Sequence, residues 1–170
     1  MTLAGLLALV FVPMLIEARR AARHEREQLS RGGIEPAGDV YQVMRLAYPG
    51  AFLAMLVEGA IRGLPGAPVA AIGLVVFALA KFLKWWAILS LGPSWTFRVI
   101  VRPGSTRVTD GPYRFADHPN YVGVIGELLG VGLMTGAVIT GPLGVAGFGG
   151  LIVRRIAVER RALDAILPRA

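Results

Sequence analysis

Between residues 122 and 153 the chain carries one charged side chain, Glu127. A bilayer core about 30 Å thick is crossed by about 20 helical residues. This run is therefore too long for one crossing and has to fold back. Gly136, Thr140, Gly141 and Pro142 supply turn chemistry near its middle, so two short antiparallel helices joined at 136–142 are expected. Further apolar stretches occupy residues 3–16, 43–61 and 69–91. Only 17% of residues are charged, against about 25% in soluble domains, and mean hydropathy is +0.60. In lipid, backbone groups must be satisfied internally, which favours helices. The predicted fold class is an all-α integral membrane protein with about five transmembrane helices, the last two a helical hairpin. A C-terminal amphipathic or extended helix follows, and residues 1–170 form one membrane domain.

The first apolar stretch is short and contains Pro13. A signal peptide would carry positive charge ahead of its apolar core, but here Arg19, Arg20, Arg23 and Arg26 follow it. An uncleaved first helix with its N-terminus outside is expected. The segment EARRAARHEREQLSR (17–31) mixes signs at helical spacing and reads as a solvated prolongation of that helix, with His24 as a surface histidine. Gly32-Gly33 ends it. Pro49-Gly50 falls inside the second span as a candidate kink. Lys81, Lys84, Trp85 and Trp86 in the last third of the third span read as an interfacial belt with snorkelling lysines. Residues 97–101 and 107–109 lean towards β structure and suggest a small hairpin or an irregular loop. Glycines 126, 130, 132, 144, 147, 149 and 150 read as contacts for close helix packing. In the tail, Ile156, Leu163 and Leu167 share one face among arginines.

The net charge of +7 fits arginine-rich loops facing anionic lipid better than nucleic acid. Five spans with the N-terminus outside put 17–42, 92–120 and 154–170 in the cytoplasm. Nearly every Lys and Arg then lies on that side, with Arg62 the exception. The absence of cysteine excludes disulfides and thiolate metal sites. Two distant histidines argue against zinc.

Chemistry concentrates in GPYRFADHPNYVG (111–123), directly before the hairpin, and in Arg154, Arg155, Glu159, Arg160 and Arg161 after it. A hairpin returns the chain to the face it left, so the two clusters should meet. Each residue alone has a structural reading: His118 as a helix cap, Arg155 and Glu159 as a surface ion pair. Their joint arrangement points as much to a site.

Residues 95–123, WTFRVIVRPGSTRVTDGPYRFADHPNYVG, followed by the Gly-rich hairpin and RRIAVERRAL (154–163), resemble the isoprenylcysteine carboxyl methyltransferase family, in particular its short bacterial members. The basic segment ARRAARHEREQLSRGG resembles the same members. The resemblance implies a membrane-embedded S-adenosylmethionine-dependent methyltransferase acting at the cytoplasmic face on a lipophilic acceptor. The acceptor atom would be a carboxylate or an enol or phenol oxygen. The implied setting is a bacterial inner membrane, with three N-terminal spans (1–91) and a cofactor-binding half (92–170). It places Tyr113, His118, Pro119, Tyr121, Gly123 and Glu127 in the cofactor-binding region and gives Arg155 and Glu159 catalytic roles, with no metal. Two departures stand out: the family's RHP is DHP here, through Asp117, and its paired acids are Glu159-Arg160. Complementary signs predict that Asp117 pairs with Arg160. A drifted, non-enzymatic member and a phospholipid N-methyltransferase are the alternatives. A transporter reading rests only on Glu58 and Glu127 within spans.

Overall fold

A computed structural model describes residues 2–105 and 108–166. Five α-helices carry the fold: α1 (Leu3–Ser30), α2 (Tyr41–Arg62), α3 (Ala67–Leu91), α4 (Pro119–Thr135) and α5 (Thr140–Ile166). Two short 3₁₀ turns, Gly92–Ser94 and Gly111–Arg114, lie in the long connection after α3. No β-strand occurs among the described residues; the only trace of pairing is an isolated bridge between Ile34 and Val101. Of the small hairpin or irregular loop expected over 97–101 and 107–109, the described residues show the irregular loop; residues 106 and 107 lie outside the described residues, as does Leu167 of the tail.

Among the described residues three helices are long and apolar enough to cross a membrane: α2, α3 and α5. The 17 residues of α4 rise about 26 Å at 1.5 Å each, just short of a bilayer core. The apolar part of α1 stops at Ile16, but the helix runs unbroken through the charged stretch to Ser30. Thr2 opens it by accepting from the Gly5 amide at 3.2 Å. Pro13 and Pro49 lie inside α1 and α2, and both helices continue through them. Large apolar side chains such as Ile61, Leu79, Phe82 and Val153 face outwards, as an all-helical bundle in lipid requires.

The last two helices form the expected hairpin. Gly136 closes α4 in the left-handed conformation (φ 65°), and the Ala137 amide returns to the Gly132 carbonyl at 2.9 Å. At the same end, Glu58 of α2 accepts from the amides of Ile139 (3.1 Å) and Thr140 (2.7 Å) and from the Thr140 hydroxyl. Glu58 is thus the carboxylate that caps α5, which removes its support for transport.

Glycines of α4 pack helices as expected, and their partner is α3. The tight approach is between α4 and α3. A Cβ on Gly130 would lie 2.7 Å from the Phe77 amide nitrogen, and one on Gly123 would lie 3.0 Å from the Ala80 carbonyl. Gly147 and Gly150 meet nothing within 4 Å. Small residues on α4 therefore admit the α3 backbone, and α5 stands further off. The ends carrying the C-terminus of α1, the N-terminus of α2, the C-terminus of α3, the N-terminus of α4 and the C-terminus of α5 gather at one face, where the polar segments meet.

Candidate active site

Helix α1 builds more than a membrane anchor. Glu17, Ala21, His24 and Gln28 are buried along one side of it, within the stretch whose arginines suggested a solvated helix. The sequence reading of His24 as a surface residue is overturned: its Nδ1 lies 2.9 Å from the Trp95 carbonyl. Gln28 donates to the Pro93 carbonyl at 2.9 Å. Glu25 accepts from the amides of Phe97 (3.1 Å) and Arg98 (3.2 Å). The charged half of α1 is thus a template for residues 93–101, which have no regular structure beyond the 3₁₀ turn at their start and the single bridge at Val101. Backbone groups away from helices need such partners. Arg98 points back to Glu35 at 3.0 Å, and that carboxylate holds its guanidinium above the usual arginine range.

Beneath this segment lies a cavity of about 860 Å³ reached by all five helices, within the size range of sites that hold cofactors and drug-sized ligands. The two polar stretches singled out in the sequence meet on it. Arg155 of α5 is buried, and its Nε donates to the Tyr121 hydroxyl of α4 at 2.9 Å. Its Nη2 donates to the Phe97 carbonyl above. Its Nη1 lies 3.6 Å from Asp39 Oδ1 and 3.9 Å from the sulfur of Met44. One planar fork therefore ties α5 to α4, to α2 and to the covering segment, a use suited to guanidinium.

Glu159, one turn beyond Arg155, accepts from the Tyr121 hydroxyl at 3.2 Å. The sequence suggested that Arg155 and Glu159 pair directly; here the tyrosine hydroxyl joins them. His118 stacks on Tyr121 with ring centroids 5.5 Å apart, and its Nδ1 is 3.9 Å from Glu159. Tyr113 enters from the 3₁₀ turn as a half-buried side chain. Burial, reinforced by the Glu159 charge, pushes its phenol well up. It therefore stays neutral, and a hydrogen-bond donor, at physiological pH.

Of the residues expected at a cofactor, Tyr113, His118 and Tyr121 line the cavity, as does Glu159. Pro119, Gly123 and Glu127 lie outside its wall. Pro119 is buried as the first residue of α4, and Gly123 is the contact that admits α3. Asp117 and Arg160 do meet, at 3.6 Å, both largely exposed. Such a pair contributes less than about 1 kcal/mol, but it restores locally the charge balance that the two departures had disturbed.

Glu127 belongs to a buried network that the sequence did not foretell. Lys84 Nζ is 2.7 Å from Glu17 and 3.4 Å from Glu127; Lys81 Nζ is 3.0 Å from Glu17 and 2.9 Å from Glu127. The Tyr48 hydroxyl donates to Glu127 at 2.6 Å. Lys84 is 3% exposed, so it is a core cation and not a snorkelling one. The signal was available: two lysines one turn apart in an apolar helix, with two acids, Glu17 and Glu127, isolated in others. Asp39 was missed too. Its side chain accepts from the amides of Tyr41 (3.1 Å) and Val99 (2.9 Å) beside Arg155. A loop aspartate before a helix carries no such signal.

The donor set suits a nucleoside-type cofactor. Asn120 lines the cavity, and its buried Oδ1 has no hydrogen-bond partner among the described residues, which leaves an acceptor for a ligand N–H. Glu159 offers a second acceptor, and the stacked rings offer flat surface. No group of His, Asp and Glu suited to a metal ion occurs among the described residues.

Helices with lipid-facing apolar sides around a cavity lined by polar side chains at one end define an integral membrane protein. The family model for isoprenylcysteine carboxyl methyltransferases matches residues 71–165, and the chain belongs to that family, whose members are membrane methyltransferases. It is 30% identical over 160 residues to the uncharacterized protein YpbQ of Bacillus subtilis (strain 168), spanning 94% of this chain and 95% of that one. It is 24% identical over 170 residues to an uncharacterized protein of Haemophilus influenzae, spanning 99% and 96%. No solved structure matches it.

Proposed function

We propose that the protein transfers a methyl group from S-adenosylmethionine to an oxygen of a lipophilic acceptor, a carboxylate or an enol or phenol, at the cytoplasmic face of a bacterial inner membrane. The observation that carries this reading is the meeting of 113–121 with 155–159, through the Tyr121 hydroxyl, on one cavity of about 860 Å³. The arginine-rich ends gathered at that face support its cytoplasmic orientation, which sets the N-terminus outside.

The cofactor supplies an electrophilic methyl group on a sulfonium. Tyr113, His118 and Tyr121 would offer ring faces for its purine, and Asn120 Oδ1 and Glu159 would accept from its N–H groups. Arg155 is engaged by the protein on both sides of its fork, so it acts by holding Tyr121 and the covering segment in place. Pro119, Gly123 and Glu127 act one layer back, by setting α4 against α3 and Tyr48. The segment 93–101 keeps water out. Dispersing opposite charges is favoured in such a dry, aligned site.

The test is binding followed by turnover. Purified protein should melt higher with S-adenosylhomocysteine, and Glu159→Gln should weaken that effect about tenfold in affinity, the equivalent of 1.4 kcal/mol. Labelled methyl transfer into membrane lipid extracts should follow in the wild type. An absence of binding would favour a non-enzymatic member that has kept the fold. Label found only on phospholipid amines would favour N-methylation.

A further inference from the structure

The cavity wall changes character with depth. The mouth carries Tyr113, His118, Tyr121 and Glu159. The far end is an apolar arm formed by Phe11, Met14 and Leu15 of α1 with Pro49 of α2 and Phe148 of α5. Leu15 is 61% exposed, so the arm reaches the lipid-facing surface. Between mouth and arm the wall is made by Glu17, Tyr48 and Lys84, the inner side of the buried network. Tyr121 and Glu127 mark the two levels on α4, about 9 Å apart at 1.5 Å per residue.

An ammonium has three hydrogens to place. Lys84 gives one to Glu17 at 2.7 Å, but its approaches to Glu127 (3.4 Å) and Tyr48 (3.5 Å) exceed ordinary N–H···O lengths of about 2.7–3.2 Å. Part of its donor capacity is therefore loosely held at the wall. The Tyr48 hydroxyl has committed its hydrogen to Glu127 and keeps a lone pair. The facing groups are Glu17 from α1, Tyr48 from α2, Lys81 and Lys84 from α3 and Glu127 from α4. Two ammoniums and two carboxylates sum to zero, so a polar group arriving there meets a donor without a net-charge barrier. Ionisable groups at this depth mark ligand paths more often than scaffolding.

We infer that Lys84 and Tyr48 form the subsite for the oxygen-bearing head of the lipophilic methyl acceptor. The inference rests on the methyltransferase reading. The head accepts from Lys84, a head bearing a hydroxyl also donates to Tyr48, and the chain lies in the apolar arm. The head then faces the mouth, where the cofactor residues stand.

The experiment measures lipophile and cofactor binding separately in nanodiscs. The lipophile probes are cis-parinaric acid and its alcohol, read by energy transfer from Trp85 and Trp95, which flank Lys84 and the covering segment. The variants are Tyr48→Phe and the charge-balanced pair Lys84→Met with Glu17→Gln, each checked by melting. Both should bind at least one probe about tenfold more weakly, with affinity for S-adenosylhomocysteine within about twofold of wild type. Loss confined to the acid or to the alcohol supports the subsite and identifies the head it takes. Unchanged probe affinity in both variants, no probe binding by the wild type, or an equal fall in S-adenosylhomocysteine affinity would overturn it. Probe binding that depends on Lys84 and Tyr48, in a protein that binds no S-adenosylhomocysteine, would keep the subsite and sink the methyltransferase reading instead.

Discussion

Arg155 and Lys84 are both buried cations on the same cavity, yet their surroundings have little in common. Arg155 meets mostly neutral acceptors, the Tyr121 hydroxyl, the Phe97 carbonyl and the Met44 sulfur, with Asp39 at 3.6 Å. Lys84 sits between two carboxylates. The first arrangement uses direction: a planar fork fixes the relative positions of four segments. The second uses charge: it neutralises two acids that the bilayer would otherwise penalise. Changes of shape should therefore hurt most at Arg155, and changes of charge most at Lys84.

The largest effect expected is from Lys84→Met alone, which leaves Glu17 and Glu127 sharing Lys81. Breaking a buried pair costs about 3–5 kcal/mol, and the melting temperature should fall accordingly. Adding Glu17→Gln should recover much of that loss; a double-mutant cycle without coupling would show that the contacts are not energetically linked. Next comes Arg155→Lys, which keeps charge and loses the fork. It should melt closer to the wild type than Lys84→Met does, yet lose most S-adenosylhomocysteine binding and methyl transfer. Retained binding would contradict the role of direction. Asp39→Asn keeps an acceptor for the Val99 amide and removes charge beside Arg155. Cofactor affinity should drop several-fold with a stability change of about 1 kcal/mol or less; a large loss of stability with affinity intact would make Asp39 purely structural. The smallest effect is at the exposed pair. Asp117→Arg should cost less than about 1 kcal/mol, and Arg160→Glu on top should restore it, measured by melting at low salt.

The same contrast explains what the sequence disclosed. Helix lengths, the hairpin and the convergence of 113–121 with 155–159 follow from hydrophobic run length and turn residues, which are local properties. So does the sign complementarity of Asp117 and Arg160. The buried side of α1 was hidden because Glu17, His24 and Gln28 are interleaved with exposed arginines, so polarity hid the periodicity. Lys84 reads as a snorkelling lysine in sequence because its partners lie on α1, α2 and α4, at separations no helical pattern encodes. The glycines of α4 announced close packing without naming α3 as the neighbour. Arg155 was visible as a candidate, but the Phe97 carbonyl it holds belongs to an irregular segment whose course depends on Glu25 and Asp39.

Helix α1 is one unbroken rod from Leu3 to Ser30. It carries Met14 and Leu15 on the lipid-side arm and, about three turns on, the Glu25 carboxylate that clasps the covering segment. One helix thus borders both the apolar floor of the cavity and its cover, so a substitution that displaces α1 as a whole disturbs both at once.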